Sequence, residues 1–279
     1  LIPRFGWRAV FYAGGLLPRA ILPAMLRWLP ESLQLLAVRG RSAAGIARWL
    51  ERVDPSAPRG PGVRYTASER PRQGFPVLRL FGEGRAAGTA VLWGANFMNV
   101  MGAYFVASWL PTLMRGAGHS TRTAVLVGTA MMVGGAIGTV VLGLVQRRVG
   151  LVPLLAGGFA TAAASLLVIG VPGLPLGPLV LAVSLVGVGL LAGPPMLNAL
   201  AATWYPTDLR STGVGAGLGV GRFGAILGPL VASVLVARSW SMQGLFRVAA
   251  VPAVLAMILA LALPWVLGGR ARPKQERGR

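Results

Sequence analysis

Cysteine is absent from this 279-residue chain, and histidine occurs once, at His119. Disulfide frameworks and thiolate metal sites are therefore excluded. His119 has no partner of ligand type at ligand spacing, so it reads as a solvated loop residue and not a metal ligand. Acid is scarce as well. Seven Asp and Glu stand against 27 Lys and Arg, a net charge of +20. No Asp or Glu falls between Glu83 and Asp208, or between Asp208 and Glu276. Charge of either sign is thin overall: 12% of residues, about half the ~25% usual in soluble domains.

What is present is apolar. Hydrophobic residues make up 54% of the chain, and the 40 glycines sit inside apolar runs, not in a collagen-like period. This composition marks an integral membrane protein. A net charge of +20 raises the question of nucleic acid, but the distribution argues against it. Ten Arg lie between Arg39 and Arg85 and five Lys or Arg between Arg270 and Arg279, while the apolar runs carry almost none. Basic segments between long apolar runs follow the positive-inside pattern that sets topology. No nucleic-acid partner is expected. The environment is membrane lipid.

Seven spans of about 20 residues, the length needed to cross a ~30 Å hydrocarbon core, are predicted. They cover 9–29, 89–114, 124–145, 151–171, 177–203, 212–236 and 245–267. Arg19 sits in the middle of the first, between two prolines in "LLPRAILP". A polar stretch, 30–88, follows it. Within that stretch "SAAGIARWLERV" (42–53) carries Ile46, Leu50 and Val53 at helical spacing, the pattern of a short interfacial helix. "DPSAPRGPGVRY" reads as a linker. Short connections after residue 89 predict that consecutive helices are antiparallel neighbours. The Lys/Arg bias places 30–88, 146–150, 204–211 and the tail 268–279 on the cytoplasmic side. Trp109 and Trp204 read as interfacial anchors. The chain starts at Leu1 with no visible cleavable signal, and an N-terminal part is expected to be absent.

Glycines recur at four-residue spacing: Gly134 and Gly138; Gly213, Gly217 and Gly221; Gly224 and Gly228. Small residues on one face let helix backbones approach closely in lipid. "GVGRFG" (219–224) also matches G-x-G-x-x-G. A dinucleotide loop needs a strand before it and an acid about 20 residues later. Here a helical pattern precedes the match and the next acid is Glu276, so the match is fortuitous. Its central residue, Arg222, lies about ten residues into a span, ~15 Å deep. A cation there costs at least about 2.5–3.5 kcal/mol to insert. It is expected to face the bundle interior, a water-filled cavity or an anion. The other spans offer no acid, and a guanidinium binds carboxylate bidentately. A bound organic anion or a carboxylate elsewhere would serve, and so would backbone carbonyls at unwound Gly.

Other polar groups inside spans are Asn96 and Asn99, which share a helical face, and Asn198. Asn198 follows "GPP" (193–195), where Pro interrupts the helix ladder. Tyr104 and Trp93 lie near the Asn pair. Amides, aromatics and one Arg would suit an aromatic carboxylate. Interhelical hydrogen bonds and lipid-facing rings are the plainer alternative. No nucleophile–base set, metal cluster or cofactor loop is present, so an enzyme is not expected.

Four stretches carry a family resemblance: "WRAVFYAGGLLP" (7–18), "LRWLPESLQLL" (26–36), "SWLPTLMRGAG" (108–118) and "NALAATWYPTDLRSTGVGAGLGVGRFGAILGP" (198–229). In these the chain resembles the major facilitator superfamily, and within it the aromatic acid:proton symporter family. The resemblance implies an all-α polytopic membrane helical bundle. The chain would supply the last helix of the N-terminal half (1–29), a central cytoplasmic loop (30–88), the six-helix C-terminal half (89–267) and a basic cytoplasmic tail (268–279). Its seven transmembrane helices would correspond to helices six to twelve of twelve. Helices seven and ten of such carriers line the cavity, which gives weight to Asn96, Asn99 and Asn198. Arg222 matches an Arg of the eleventh helix. "PTDLRSTG", with Asp208 and Arg210, is similar to a cytoplasmic charge motif that holds the inward-closed state. The loop pattern G-x-x-x-D-R-x-G appears as "GLVQRRVG" (143–150), with Arg147 in place of the Asp and Arg148 retained. Arg19 also stands where an apolar residue is expected. The family's acidic pair for proton coupling, in its first helix, lies outside this chain. The expected function is secondary active transport of small organic anions, aromatic carboxylates in particular, by proton symport in the inner membrane. The missing six-helix half is then a partner and the proton the coupling ion, with no cofactor. A carrier for a sugar or zwitterion, and a non-transporting remnant, are the alternatives.

Overall fold

The structure is a computed structural model that describes residues 2–28, 46–47, 50–51, 54, 56, 63, 76–116 and 118–267. The chain divides into two compact units, Leu1–Arg72 and Gln73–Arg279. In the first unit, helix α1 spans Ile2–Trp28 and covers residues 9–28 of the run expected at 9–29. Gly6 breaks its start with φ 74° and ψ 168°, and Pro18, Arg19 and Pro23 lie within it. The interfacial helix expected over 42–53 falls largely outside the described residues; Ile46, Ala47, Leu50 and Glu51 are helical. The tail 268–279 also lies outside them.

Among the described residues of the second unit, all regular secondary structure is helical. After a one-turn helix α2 (Pro76–Arg79) come α3 (Ala86–Gly116), α4 (Thr121–Val149), α5 (Leu151–Ile169), α6 (Leu176–Leu191), α7 (Gly193–Trp204), α8 (Thr207–Ala237) and α9 (Met242–Leu267). Taking α6 and α7 together, six helices among the described residues are long and apolar enough to cross a membrane. They match the six spans expected from residue 89 onward. Local chemistry fixes their ends. The Ser120 hydroxyl caps α4 by accepting from the Thr123 N–H at 3.2 Å. Gly150, at φ 89°, turns the chain between α4 and α5 where a side chain would be strained. The Gly193-Pro194-Pro195 run splits one span into α6 and α7 at Ala192.

The packing order departs from the chain order. Short connections predict sequential neighbours, but only α5 and α6 are both consecutive and extensively packed. The main partnerships are α3 with α8 and α9, α4 with α6, and α5 with α9. Small-residue faces explain this choice. An added Cβ at Gly224 would sit 2.5 Å from the Phe97 carbonyl oxygen, and one at Gly228 would strike the Met101 carbonyl. Gly187 meets the Met131 carbonyl and Gly134 meets Ser184 in the same way. Backbones in such contact gain dispersion and polar interactions that bulkier faces forbid. Trp109 belongs to the α3–α8 seam too: its indole donates to the Pro229 carbonyl at 3.2 Å.

The resulting series runs α8, α3, α9, α5, α6, α4. Its two end members are the least covered, with 22% of the α8 span and 28% of the α4 span buried, against 44–50% for the others. Large apolar side chains line the uncovered faces, such as Phe223 and Ile226 on α8 and Val140 and Leu144 on α4.

Gly224→Ala is expected to lower stability by about 1–3 kcal/mol, because a packed backbone must retreat. Gly219→Ala meets nothing within 4 Å and should be neutral or stabilising by up to ~1 kcal/mol. Denaturant titration of the two variants in detergent, followed by helicity, checks the contrast.

Candidate functional site

The α3–α8 seam holds the polar side chains that the sequence singles out. Three residues spaced by three on α3 (Trp93, Asn96 and Asn99) bring their polar ends into the bundle. The Asn96 amide nitrogen donates to the Gly217 carbonyl of α8 at 2.7 Å. Its oxygen is buried without a hydrogen-bond partner. Gly221 makes room for this amide, since a Cβ there would lie 2.7 Å from Asn96 Nδ2. The Trp93 indole packs edge-on against Phe81, with ring centroids 5.3 Å apart. Its Nε1 is turned toward the Tyr205 hydroxyl without a full hydrogen bond.

Asn99 is the most constrained of the three. It is fully buried, and neither atom of its amide has a hydrogen-bond partner. It lies flat against the α6–α7 break: a Cβ at Gly193 would fall 2.7 Å from Asn99 Nδ2. Pro194 and Pro195 remove the N–H groups that would bond the carbonyls of Leu190 and Leu191. An amide with neither atom paired thus lies beside a helix break imposed by two prolines. An unpaired buried polar group costs about 1–3 kcal/mol, so its presence in an apolar bundle requires a reason.

Asn96 and Asn198 come together in a narrow cleft between α3, α7 and α8, with Trp93, Leu197 and Val214 as walls. Its free volume is about 10 Å³, close to the least that holds one water. The amides are in place, but in this arrangement an aromatic ring does not fit between them.

The other expected binding residues lie elsewhere. Tyr104 is 44% exposed and outside the cleft. Arg222 is exposed and does not line the cleft. Of the settings expected for it, this leaves a water-filled cavity or an anion beyond these helices. Gly221, Gly224 and Gly228 turn their side of α8 to α3, so the intervening Arg222 emerges on the uncovered face. The expected switch residues gather at one end of the bundle. Arg147 and Arg148 are exposed in the last turn of α4, where the helix dipole favours cations. Arg210 is exposed in the first turn of α8, and the Asp208 side chain lies outside the described residues.

A second polar cluster at that same end escaped the sequence reading. The Tyr205 hydroxyl donates to Thr89 Oγ1 at 3.2 Å. Thr89 in turn donates to the Leu80 carbonyl at 2.9 Å. Arg85 pairs with Glu83 and donates to the Arg79 carbonyl. Burial raises the Tyr205 pKa, with Thr89, Trp93 and Arg85 pulling the other way, so the hydroxyl keeps its proton and remains a donor. Gly213 presents a bare backbone to the Tyr205 ring. Trp204, read as an interfacial anchor, packs edge-on against that ring at 4.8 Å. The only signal in the sequence was an aromatic pair before "PTD", with nothing to link it to Thr89.

A family model described as Major Facilitator Superfamily matches residues 92–279. The gallate transporter of Pseudomonas putida is 36% identical over 263 residues, covering 94% of this chain and 58% of that protein. The 4-hydroxybenzoate transporter PcaK of Pseudomonas aeruginosa is 35% identical over 273 residues, with coverages of 94% and 58%. The benzoate transport protein of Acinetobacter baylyi is 30% identical over 260 residues, covering 92% of this chain and 55% of that protein. The chain therefore spans a little over half the length of these relatives.

Asn99→Leu, a near-isosteric apolar change, is expected to leave stability unchanged or raise it by about 1 kcal/mol, because it removes two unsatisfied atoms. Tyr205→Phe is expected to cost about 1 kcal/mol through the lost Thr89 bond. Denaturation midpoints of both variants, compared with the parent, check the opposite signs.

Proposed function

Because the chain belongs to the Major Facilitator Superfamily, we propose that it forms the C-terminal portion of a proton-coupled carrier for small aromatic carboxylates. The observation that carries this reading is the buried, unpaired amide of Asn99 and amide oxygen of Asn96 beside a broken helix. Polar atoms left without partners inside an apolar bundle are explained if a polar substrate completes them in another state of the cycle. The relatives support the chemistry, since gallate, 4-hydroxybenzoate and benzoate are all aromatic carboxylates.

In this reading the cleft between α3, α7 and α8 opens as the α6–α7 break flexes. The ring enters beside Trp93, and the amides of Asn96, Asn99 and Asn198 bond its polar groups. Arg222 stands on the uncovered face of α8, which would turn toward an N-terminal six-helix half outside these 279 residues. The guanidinium then meets the carboxylate from between the two halves, with rocking of one half against the other exposing the site alternately. The proton is carried on groups outside this chain, because no span here holds a carboxylate. Tyr104 would contact substrate only at the margin of such a cavity.

The basic loop 30–88 and the tail lie on the cytoplasmic side of the inner membrane in this account, following the Lys/Arg bias. Arg147, Arg148, Arg210 and Asp208 then sit at the cytoplasmic end and govern its closure. Arg147, a cation where an Asp would pair across helices, favours a second reading as a non-transporting remnant. The chain is read as a carrier and not an enzyme, with no cofactor.

Proteoliposomes holding residues 1–279 alone are expected to take up no labelled 4-hydroxybenzoate. In lipid nanodiscs the same chain should bind 4-hydroxybenzoate but not benzamide, and Arg222→Lys should weaken that binding about tenfold. Equal binding of acid and amide would favour a neutral or zwitterionic substrate, and binding of neither would favour the remnant.

A further inference from the structure

At the end of the bundle away from Tyr205, the chain closes around a recess of about 380 Å³. This is within the ~300–1,000 Å³ range of small-molecule sites, and far roomier than the α3–α7–α8 cleft. Its apolar wall comes from Met114, Ile169, Leu179 and Met242. The first three are almost fully buried, so the wall belongs to the packed core. Two residues with polar side chains also line the recess: His119, the single histidine of the chain, and Gln243. Both are half-buried.

Local backbone structure builds this recess. The His119 N–H donates to the Met114 carbonyl at 3.1 Å, and the Gly118 N–H to Arg115 at 3.0 Å, folding the loop after α3 back on its helix. Gly118, at φ 84°, permits that fold. The end of α5 abuts the start of α9: a Cβ at Gly170 would lie 3.5 Å from the Gln243 carbonyl oxygen. Three separate loops thus meet around one apolar hollow with two hydrogen-bonding side chains.

The charge at this end has one sign. Residues 115–123 and 237–244 contain Arg115, Arg122 and Arg238, and no acid occurs anywhere from 84 to 207 or from 209 to 275. The charged side chains of these two loops are all cations, which favours an anion over a cation at this end. An apolar wall with two methionine sulfurs suits a ring. One imidazole and one amide suit a carboxylate.

We propose that this recess is a second, peripheral binding site for a small aromatic carboxylate. The ring lies against Met114, Ile169, Leu179 and Met242, and the carboxylate accepts from the His119 imidazole and the Gln243 amide. The inference rests on the substrate class proposed above. On the topology proposed there, the recess opens on the outer face and holds substrate ahead of the central cleft.

The test is photolabelling of the 279-residue chain in phosphatidylcholine nanodiscs with 4-azidobenzoate, mapped by peptide mass spectrometry. Label on peptides bearing Met114, His119, Ile169 or Met242 is expected, and excess 4-hydroxybenzoate should compete it away. His119→Leu and Gln243→Leu should each reduce it about tenfold, while Asn99→Leu leaves it unchanged. Competable label confined to 92–101 and 197–217 would overturn the second site and leave the proposed function standing. Label at the recess that 4-hydroxybenzoate does not displace would mean simple lipid-like partitioning, and would also overturn it. No competable label anywhere would overturn both readings.

Discussion

Backbone-to-backbone approach at glycine organises this fold. In water, helices pair to bury apolar faces. In lipid that drive is absent, and the pairs that win are those whose backbones come closest. Gly224 and Gly228 allow α8 to lie on the carbonyls of Phe97 and Met101, and Gly134, Gly138 and Gly187 do the same for α4 and α6. Everything functional in the second unit hangs on these two seams. The α3–α8 seam brings Asn96 to the Gly217 carbonyl and aims Trp93 and Asn99 inward. The α4–α6 seam, with α5 behind it, holds the upper part of the broken span against which Asn99 rests.

The seams also dictate which faces are left over. Once the glycine side of α8 is committed to α3, Arg222 is left on the uncovered face, and α4 likewise presents a bare apolar face. A cation at mid-span is costly in hydrocarbon, so an uncovered face bearing one is poorly suited to lipid. It is better suited to an interface that contains water, a substrate or another helix. The absence of acid over nearly all of residues 84–275 sharpens this. The fixed side-chain charges over this part of the chain are thus nearly all cationic, which favours anions over cations.

Much of this was legible in the sequence, and the reasons for what was not are specific. The six spans after residue 89 are visible because each is a long apolar run. The split at Ala192 is visible because Gly-Pro-Pro removes consecutive donors. The glycine spacing announces close packing. What a single sequence does not carry is the azimuth of each helix, which depends on the partner it meets. The side of α8 on which Arg222 emerges was therefore not legible, and sequential neighbours were expected to pack. The chain of hydrogen bonds from Tyr205 through Thr89 to Leu80 joins residues more than a hundred positions apart, beyond the reach of any local pattern. Asn96 and Asn99 could be placed on one face by spacing alone, but not the fact that Asn99 is left without a partner.

The central claim is that the Trp93–Asn96–Asn99 face of α3 receives an aromatic carboxylate. The most direct measurement is fluorine NMR of the chain labelled with 5-fluorotryptophan in nanodiscs, with the Trp93 resonance assigned through Trp93→Phe. A saturable shift of that resonance on titration with 4-hydroxybenzoate, lost in Asn96→Leu, is the result this account predicts. A Trp93 resonance that stays fixed while the chain binds 4-hydroxybenzoate would contradict it.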